Sequence, residues 1–258
     1  MLPFQVIAVF VFMFGAVIGS FLNVCIYRLP LDQSIITPGS RCMSCGTAVR
    51  WFDNIPILSW LILKGHCRDC GVSFSIRYPL IELLTGCLTL LLFLRFGFTV
   101  SFAIYSVFIA ALIVVTFIDF DHQIIPDEIS LPGIGLGFLA SFFLPEPGWL
   151  SSLAGILVGW GSLALIFYGY LWLTGREGMG GGDAKLLAML GAFLGLKSVP
   201  FIIFTSSLVG TVAGLSIMAL QRKGRHLAIP FGPYLALGAI LYVFYGPLLI
   251  NWYLRLGK

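Results

Sequence analysis

Two aspartates stand at the ends of apolar runs in a chain that otherwise avoids charge. Asp119 closes the run 110–118, and Asp183 follows Gly178, Gly180, Gly181 and Gly182. A carboxylate at hydrocarbon depth costs about 3 kcal/mol on insertion scales, so each needs a reason to be there. Two that meet form a dyad. Like charges held close do not both ionise, so the pair keeps one proton near neutral pH. One Asp then takes a proton from water while the other polarises a carbonyl. That is the equipment for hydrolysing a peptide bond.

Four of the six cysteines form a second constellation, Cys42-Met43-Ser44-Cys45 and Cys67-Arg68-Asp69-Cys70, each pair followed by a glycine, Gly46 or Gly71. Such a pair puts two thiolates on a tight turn that the glycine relieves. Two turns make a tetrahedral zinc site, expected to be structural because all four ligands are protein. His66 is expected to be an exposed loop residue. Cys25 and Cys87 lie in apolar runs and read as small buried hydrophobes. The remaining acids near the aspartates, Asp121, Asp127 and Glu128, read as surface charges. Asp127 is expected to cap the helix that follows. For Asp183 the alternative is a helix N-cap with Lys185 snorkelling to the interface, but a cap does not need Gly178, Gly180, Gly181 and Gly182 before it. An anion-binding role for the glycine run is disfavoured, because Asp183 would repel phosphate.

The elements that must position these residues are membrane helices. Of 258 residues, 59% are hydrophobic and 10% charged, with a mean hydropathy of +1.01. Soluble domains carry about 25% charged residues. The fold class is therefore an all-α polytopic membrane protein, with about eight transmembrane helices and a small cytoplasmic zinc-binding loop. Apolar runs place the spans near 3–27, 79–95, 100–118, 130–145, 149–173, 185–197, 200–220 and 231–250. The 185–197 run is short, and is expected either to extend into the preceding loop or to sit among its neighbours. Met1-Leu2-Pro3-Phe4 has no basic n-region and no small-x-small site, so the first span is expected to be retained.

The spans alternate sides, and the basic residues then divide unevenly. Arg28, Arg41, Arg50, Lys64, Arg68, Arg77, Arg176, Lys185, Arg222, Lys223 and Arg225 fall on one side; Arg95, Lys197, Arg255 and Lys258 fall on the other. The positive-inside rule makes the first side cytoplasmic, where the cysteine loop, Asp119 and Asp183 converge. The net charge of +4 thus reports orientation and implies no nucleic-acid partner. The expected organisation is a first helix at 1–27, a cytoplasmic Cys₄ loop at 28–78 and a helical domain at 79–258. A loop of that size needs a metal or disulfides to fold, and a reducing compartment disfavours disulfides. Trp51, Phe52 and Trp60 are expected to pack the loop onto the membrane surface.

At this point the residues resemble the bacterial type IV prepilin peptidases, membrane aspartyl proteases of the Gly-x-Gly-Asp kind that also N-methylate the new N-terminus. The likeness runs through Gly19-Ser20-Phe21-Leu22-Asn23 to Arg28-Leu29-Pro30, both cysteine pairs, Trp51 with Asn54-Ile55-Pro56, and Arg77-Tyr78-Pro79-Leu80-Ile81-Glu82. It continues through Ile118-Asp119, Ile125-Pro126-Asp127, Gly178 to Lys185, and Pro230-Phe231-Gly232-Pro233. The glycine-aspartate motif is also similar to the wider group that includes presenilin. The resemblance implies an inner-membrane, multi-pass enzyme with active sites facing the cytoplasm. It implies that Asp119 and Asp183 are the catalytic pair. It implies cleavage of type IV prepilins or pseudopilins after a Gly, then methylation of the freed Phe from S-adenosylmethionine. The cysteine pairs favour this bifunctional form.

The methyl-transfer residues are less marked. Glu82 suits a ribose, the substrate amine or its proton; Arg77 suits Glu82 or a lipid phosphate. An interfacial salt bridge and a positive-inside anchor stand beside these readings. Two rivals come from other classes. A proton- or cation-coupled transporter would use the same aspartates as relays, but the inverted repeats it calls for are not evident. A quinone-linked thiol oxidoreductase would want its cysteines on the oxidising side.

Overall fold

The computed structural model describes residues 3–175, 180–221 and 230–256. Arg176, Gly178, Met179, Arg222, Lys223, Arg225 and Lys258 therefore lie outside the described residues. The chain divides into two compact units, Met1–Val114 and Val115–Lys258.

Each of the eight apolar runs forms a helix: α1 Phe4–Arg28, α3 Arg77–Phe96, α4 Val100–His122, α5 Asp127–Ala140, α6 Trp149–Thr174, α7 Gly181–Leu194, α8 Ser198–Gln221 and α9 Gly232–Leu256. A short α2, Leu58–Ile62, lies within the loop. Five of them, α1, α3, α4, α6 and α8, are long and apolar enough to cross a membrane. Helices α5 and α7 have 14 residues each. That is about 21 Å of helix against about 30 Å of hydrocarbon. Helix α9 has 25 residues. The chain is a multi-pass membrane protein; among the described residues five helices meet both the length and the apolarity of a span, where eight spans were expected.

In the first unit α1 packs along α3. Small residues set the distance. A Cβ on Gly19 would sit 2.7 Å from the Glu82 Cα, and one on Gly15 would sit 2.7 Å from the Thr89 Cβ. Backbones approach this closely where apolar burial gives helices no reason to prefer each other over lipid. The buried hydroxyls of Thr85 and Thr89 donate to Ile81 O (2.7 Å) and Thr85 O (2.8 Å), so the seam carries no loose polar group. Cys25 is buried as expected, but Cys87 is exposed. Gly86 faces α1, and the next residue turns about 100° away from it.

In the second unit α7 is the buried core. Leu186, Leu187, Leu190 and Ala192 are fully buried, and α5, α6, α8 and α9 all pack on this helix. A helix apolar all round needs neighbours on every side. Its short length therefore marks an inner helix, and it extends into the preceding loop as well. Gly155 of α6 and Gly191 of α7 meet backbone to backbone. The Ser152 hydroxyl of α6 donates to Ala192 O at 2.6 Å.

Candidate functional site

The second unit holds both aspartates, and both are buried: Asp119 is 4% exposed and Asp183 is 8% exposed. Asp119 sits in the last turn of α4, the end that carries partial negative charge and does not favour an anion. The first turn of α9 compensates. The Gly232 N–H, one of the amides a helix start leaves unpaired, donates to Asp119 Oδ2 at 2.9 Å. Gly232 has no Cβ, and a Cβ there would sit 2.7 Å from that oxygen. Asp183 lies inside the first turn of α7, because Gly180 takes the N-cap position. Its N–H donates to Gly180 O at 3.3 Å. Gly182, which precedes Asp183, and Gly232, which holds Asp119, meet the same side chain. Ile125 packs beside both: its Cβ would lie 3.0 Å from a Cβ on Gly182, and its Cδ1 would lie 3.4 Å from one on Gly232.

Asp127 is exposed, as expected of a surface charge, but it does not cap α5. Pro126 takes the cap position of α5 and no side chain caps it. The Asp127 carboxylate instead accepts two bonds of 2.8 Å from Lys185 Nζ. This ties the start of α5 to the start of α7, two residues beyond Asp183. Asp121 and Glu128 are exposed.

The first unit holds the cysteine cluster. The Sγ atoms of Cys42, Cys45, Cys67 and Cys70 lie within 4.8 Å of one another. Cys42 and Cys70 stand 3.8 Å apart, and all four are free thiols. A tetrahedron with metal–sulfur bonds of about 2.3 Å has edges of about 3.8 Å, so the spacing fits a metal ion. The two turns are built alike. Cys42 N donates to Thr47 O and Gly46 N to Cys42 O; Cys67 N donates to Val72 O and Gly71 N to Cys67 O. Bridges between Arg41 and Ala48, and between His66 and Ser73, close them. Gly46 and Gly71 both sit at φ 72°, where a glycine is favoured.

Two of the thiols, Cys45 and Cys67, are set toward ligation. The Thr47 hydroxyl, then its amide, holds Cys45 down to about 6. The Cys70 and Asp69 amides lower Cys67. Cys70 has the Val72 amide in its favour, yet burial and the three neighbouring sulfurs push it up to about 11. Four sulfurs this close need a cation before all can be thiolates.

His66 is exposed, with Nδ1 2.7 Å from Lys64 O, and is not a member of the cluster. Arg68 forks onto Asp53 through Nε (2.9 Å) and Nη2 (2.6 Å), and Arg50 reaches Asp69 at 3.6 Å, so the second turn is tied twice to the residues after the first. The Arg50 and Arg68 guanidinium groups both lie over the Phe52 ring, 6.0 Å and 5.6 Å from its centroid. Trp60 packs under Gly65 and donates to Phe74 O. Trp51 is 82% exposed and meets Phe52 edge to face.

The cysteine turns form one wall of a cavity of about 880 Å³ within the first unit. Ser20, Asn23, Tyr78 and Glu82 line the side formed by α1 and α3, and Arg77 is not among the lining residues. Glu82 is 8% exposed, and its Oε2 accepts the Ile57 N–H at 2.7 Å. Sequence reasoning missed two partners, the Gly232 amide and the Ile57 amide. The Gly232-Pro233 pair, a Cβ-free residue before one without an N–H at a helix start, carries a signal for the first. Nothing in the sequence marks the second.

Residues 13–96 match the family model described as the bacterial peptidase A24 N-terminal domain, and residues 106–215 match the type IV leader peptidase family. A prepilin leader peptidase/N-methyltransferase of Dichelobacter nodosus is 38% identical over 264 residues, covering 92% of this chain and 91% of that protein. Its namesake in Pseudomonas aeruginosa is 36% identical over 264 residues, covering 93% and 91%. One from Myxococcus xanthus is 44% identical over 218 residues, covering 84% of this chain but 65% of that longer protein. No solved structure matches the chain. The chain belongs to the type IV leader peptidase family, whose curated members are named for both a prepilin leader peptidase and an N-methyltransferase.

Proposed function

We propose that this chain removes the leader of type IV prepilins or pseudopilins after a Gly, with Asp119 and Asp183 as the catalytic pair, and then N-methylates the new N-terminal Phe. The observation that carries the reading is two buried carboxylates on α4 and α7, one held by the Gly232 amide, with Gly232 and Gly182 meeting the same Ile125 side chain. Buried carboxylates in a membrane protein mark function by default. One ionised Asp takes a proton from water, whose oxygen forms the bond to the scissile carbonyl carbon. The protonated Asp donates to the carbonyl oxygen, and the C–N bond then breaks as the nitrogen receives a proton.

The enzyme acts in a bacterial inner membrane with both sites at the cytoplasmic face. The basic side chains grouped in the cysteine loop support that orientation. Zinc in the Cys42, Cys45, Cys67 and Cys70 site would cross-link the loop and take no part in bond making. S-adenosylmethionine would supply the methyl group. The test is incubation of the purified protein with a prepilin, with and without that donor, read by intact mass. Leader loss, with a gain of one methylene unit only when the donor is present, is the expected result. Leader loss without the gain removes the methylation half of the proposal. No leader loss by folded protein removes all of it.

A further inference from the structure

We infer that the cavity of the first unit takes the methyl donor and that Glu82 binds the acceptor, as the residue that receives the substrate's α-ammonium group. The inference rests on the methylation reading above and assigns it a place. The cavity, about 880 Å³, lies within the range of sites that enclose small molecules, and its lining mixes apolar side chains with many polar and charged ones, Arg28, Arg41, Arg50 and Arg68 on the loop side and Glu82 on the helix side. Glu82 is the buried acid among its lining residues. Its partners are the Ile57 N–H and the Ser20 hydroxyl, both neutral. A buried carboxylate held only by neutral donors is a site for a cation.

The chain spends strain to build this arrangement. Ile57 sits at φ 63°, ψ −51°, and Leu58 N–H closes on Pro56 O at 2.6 Å. This is the rarer hand of γ-turn, unfavourable for a β-branched residue. Such a conformation persists where its surroundings over-determine it, and such sites cluster where ligands bind. The turn aims the Ile57 N–H at Glu82 Oε2 and so fixes the carboxylate at the cavity. Gly19 completes the fit, since a Cβ there would press on the Glu82 Cα at 2.7 Å.

Glu82 then takes one proton from the ammonium. The freed nitrogen pair forms the N–C bond as the methyl–sulfur bond breaks, and that bond's electron pair stays on sulfur and cancels its positive charge. The product is an N-methylammonium, and Glu82 releases its proton to water.

Two sources of positive charge must be told apart, the acceptor ammonium and the donor itself. The test compares wild type with Glu82→Gln. It measures leader cleavage, methyl transfer to a mature pilin-type peptide, bound metal, and S-adenosylhomocysteine affinity by equilibrium dialysis. It also measures affinity for that peptide with a free or an acetylated amine. We expect E82Q to keep its metal, to cleave normally and to bind S-adenosylhomocysteine within about threefold, while methyl transfer falls about 10²-fold or more. Preference for the free amine over the acetylated one should fall about tenfold. Lost S-adenosylhomocysteine binding with the metal intact would assign the carboxylate to the donor and overturn the inference. So would wild-type methyl transfer, or an unchanged amine preference. If E82Q loses its metal, Glu82→Asp, which keeps the charge but draws it back by one methylene, takes its place; wild-type methyl transfer by that variant also overturns the inference. A wild type that does not methylate removes the underlying reading instead.

Discussion

Replacing Gly232 by alanine puts a methyl group 2.7 Å from Asp119 Oδ2, whereas ordinary contacts begin at 3.4 Å. The carboxylate must give way by about 0.7 Å, and its bond to the Gly232 amide, now 2.9 Å, opens as it turns. Displacements of about 1 Å at a reacting group cost about 10²-fold in rate. A hydrogen bond to a charged group, worth about 1.5–3 kcal/mol, gives a similar factor if its loss falls on the transition state. We therefore expect kcat/KM for leader cleavage to fall about 10²-fold. Stability should change little, because the group that moves is the far end of a side chain and Gly232 is not among the glycines at positive φ. The assay is initial cleavage rate with Tm on the same samples. Gly161→Ala is the control, since a Cβ there meets nothing within 4 Å. Cleavage by Gly232→Ala within threefold of wild type would refute the role given to this amide. An equal loss in Gly161→Ala would show that the assay reads packing and not the site.

Other outcomes follow from the same geometry. Asp127→Asn should lower cleavage less than about fivefold, because the exposed Asp127–Lys185 pair is worth about 1 kcal/mol or less, and the exchanged pair D127K/K185D should recover most of it. Total loss in a folded Asp127→Asn protein would move that residue into the catalytic set. Removing the metal by chelation, or changing Cys42→Ser, should expose the 29–76 loop to proteolysis and abolish methyl transfer; a folded, metal-free and fully active variant would contradict a structural metal. The Arg68 hydrogen bonds hold the Asp53 carboxyl below the usual range. That contribution is present above the unfolded pKa and fades as pH falls below about 4, through the lower folded value. The difference in loop stability between wild type and Asp53→Asn should shrink over that window, and a constant difference would remove the ion pair from the account.

The helices were legible because lipid imposes a simple rule: apolar runs become helices. Which of them reach across was not, because length depends on what surrounds each one. The inner position of α7 follows from packing at Gly155, Gly159 and Gly191, and a hydropathy run does not report its neighbours. The cysteine turns were legible because CxxC-Gly fixes its own local geometry, and Gly46 and Gly71 took the conformation that spacing called for. Asp119 and Asp183 stood out because charge is scarce in such a chain. Their supports did not: Gly232 lies 113 residues from Asp119, and what it offers is a backbone amide, which every residue but proline carries. The Ile57 turn was hidden for the same reason, and because its strain contradicts what an isoleucine prefers locally. Asp127 was misplaced as a cap because its partner Lys185 lies 58 residues away.

The most direct measurement is leader cleavage by Asp119→Asn and Asp183→Asn, each inserted and folded, with methyl transfer to an already mature peptide measured on the same preparations. The account predicts that both lose cleavage and both keep methyl transfer, because the aspartates belong to the second unit and the donor cavity to the first. Near-normal cleavage by either variant would contradict the pairing of Asp119 with Asp183.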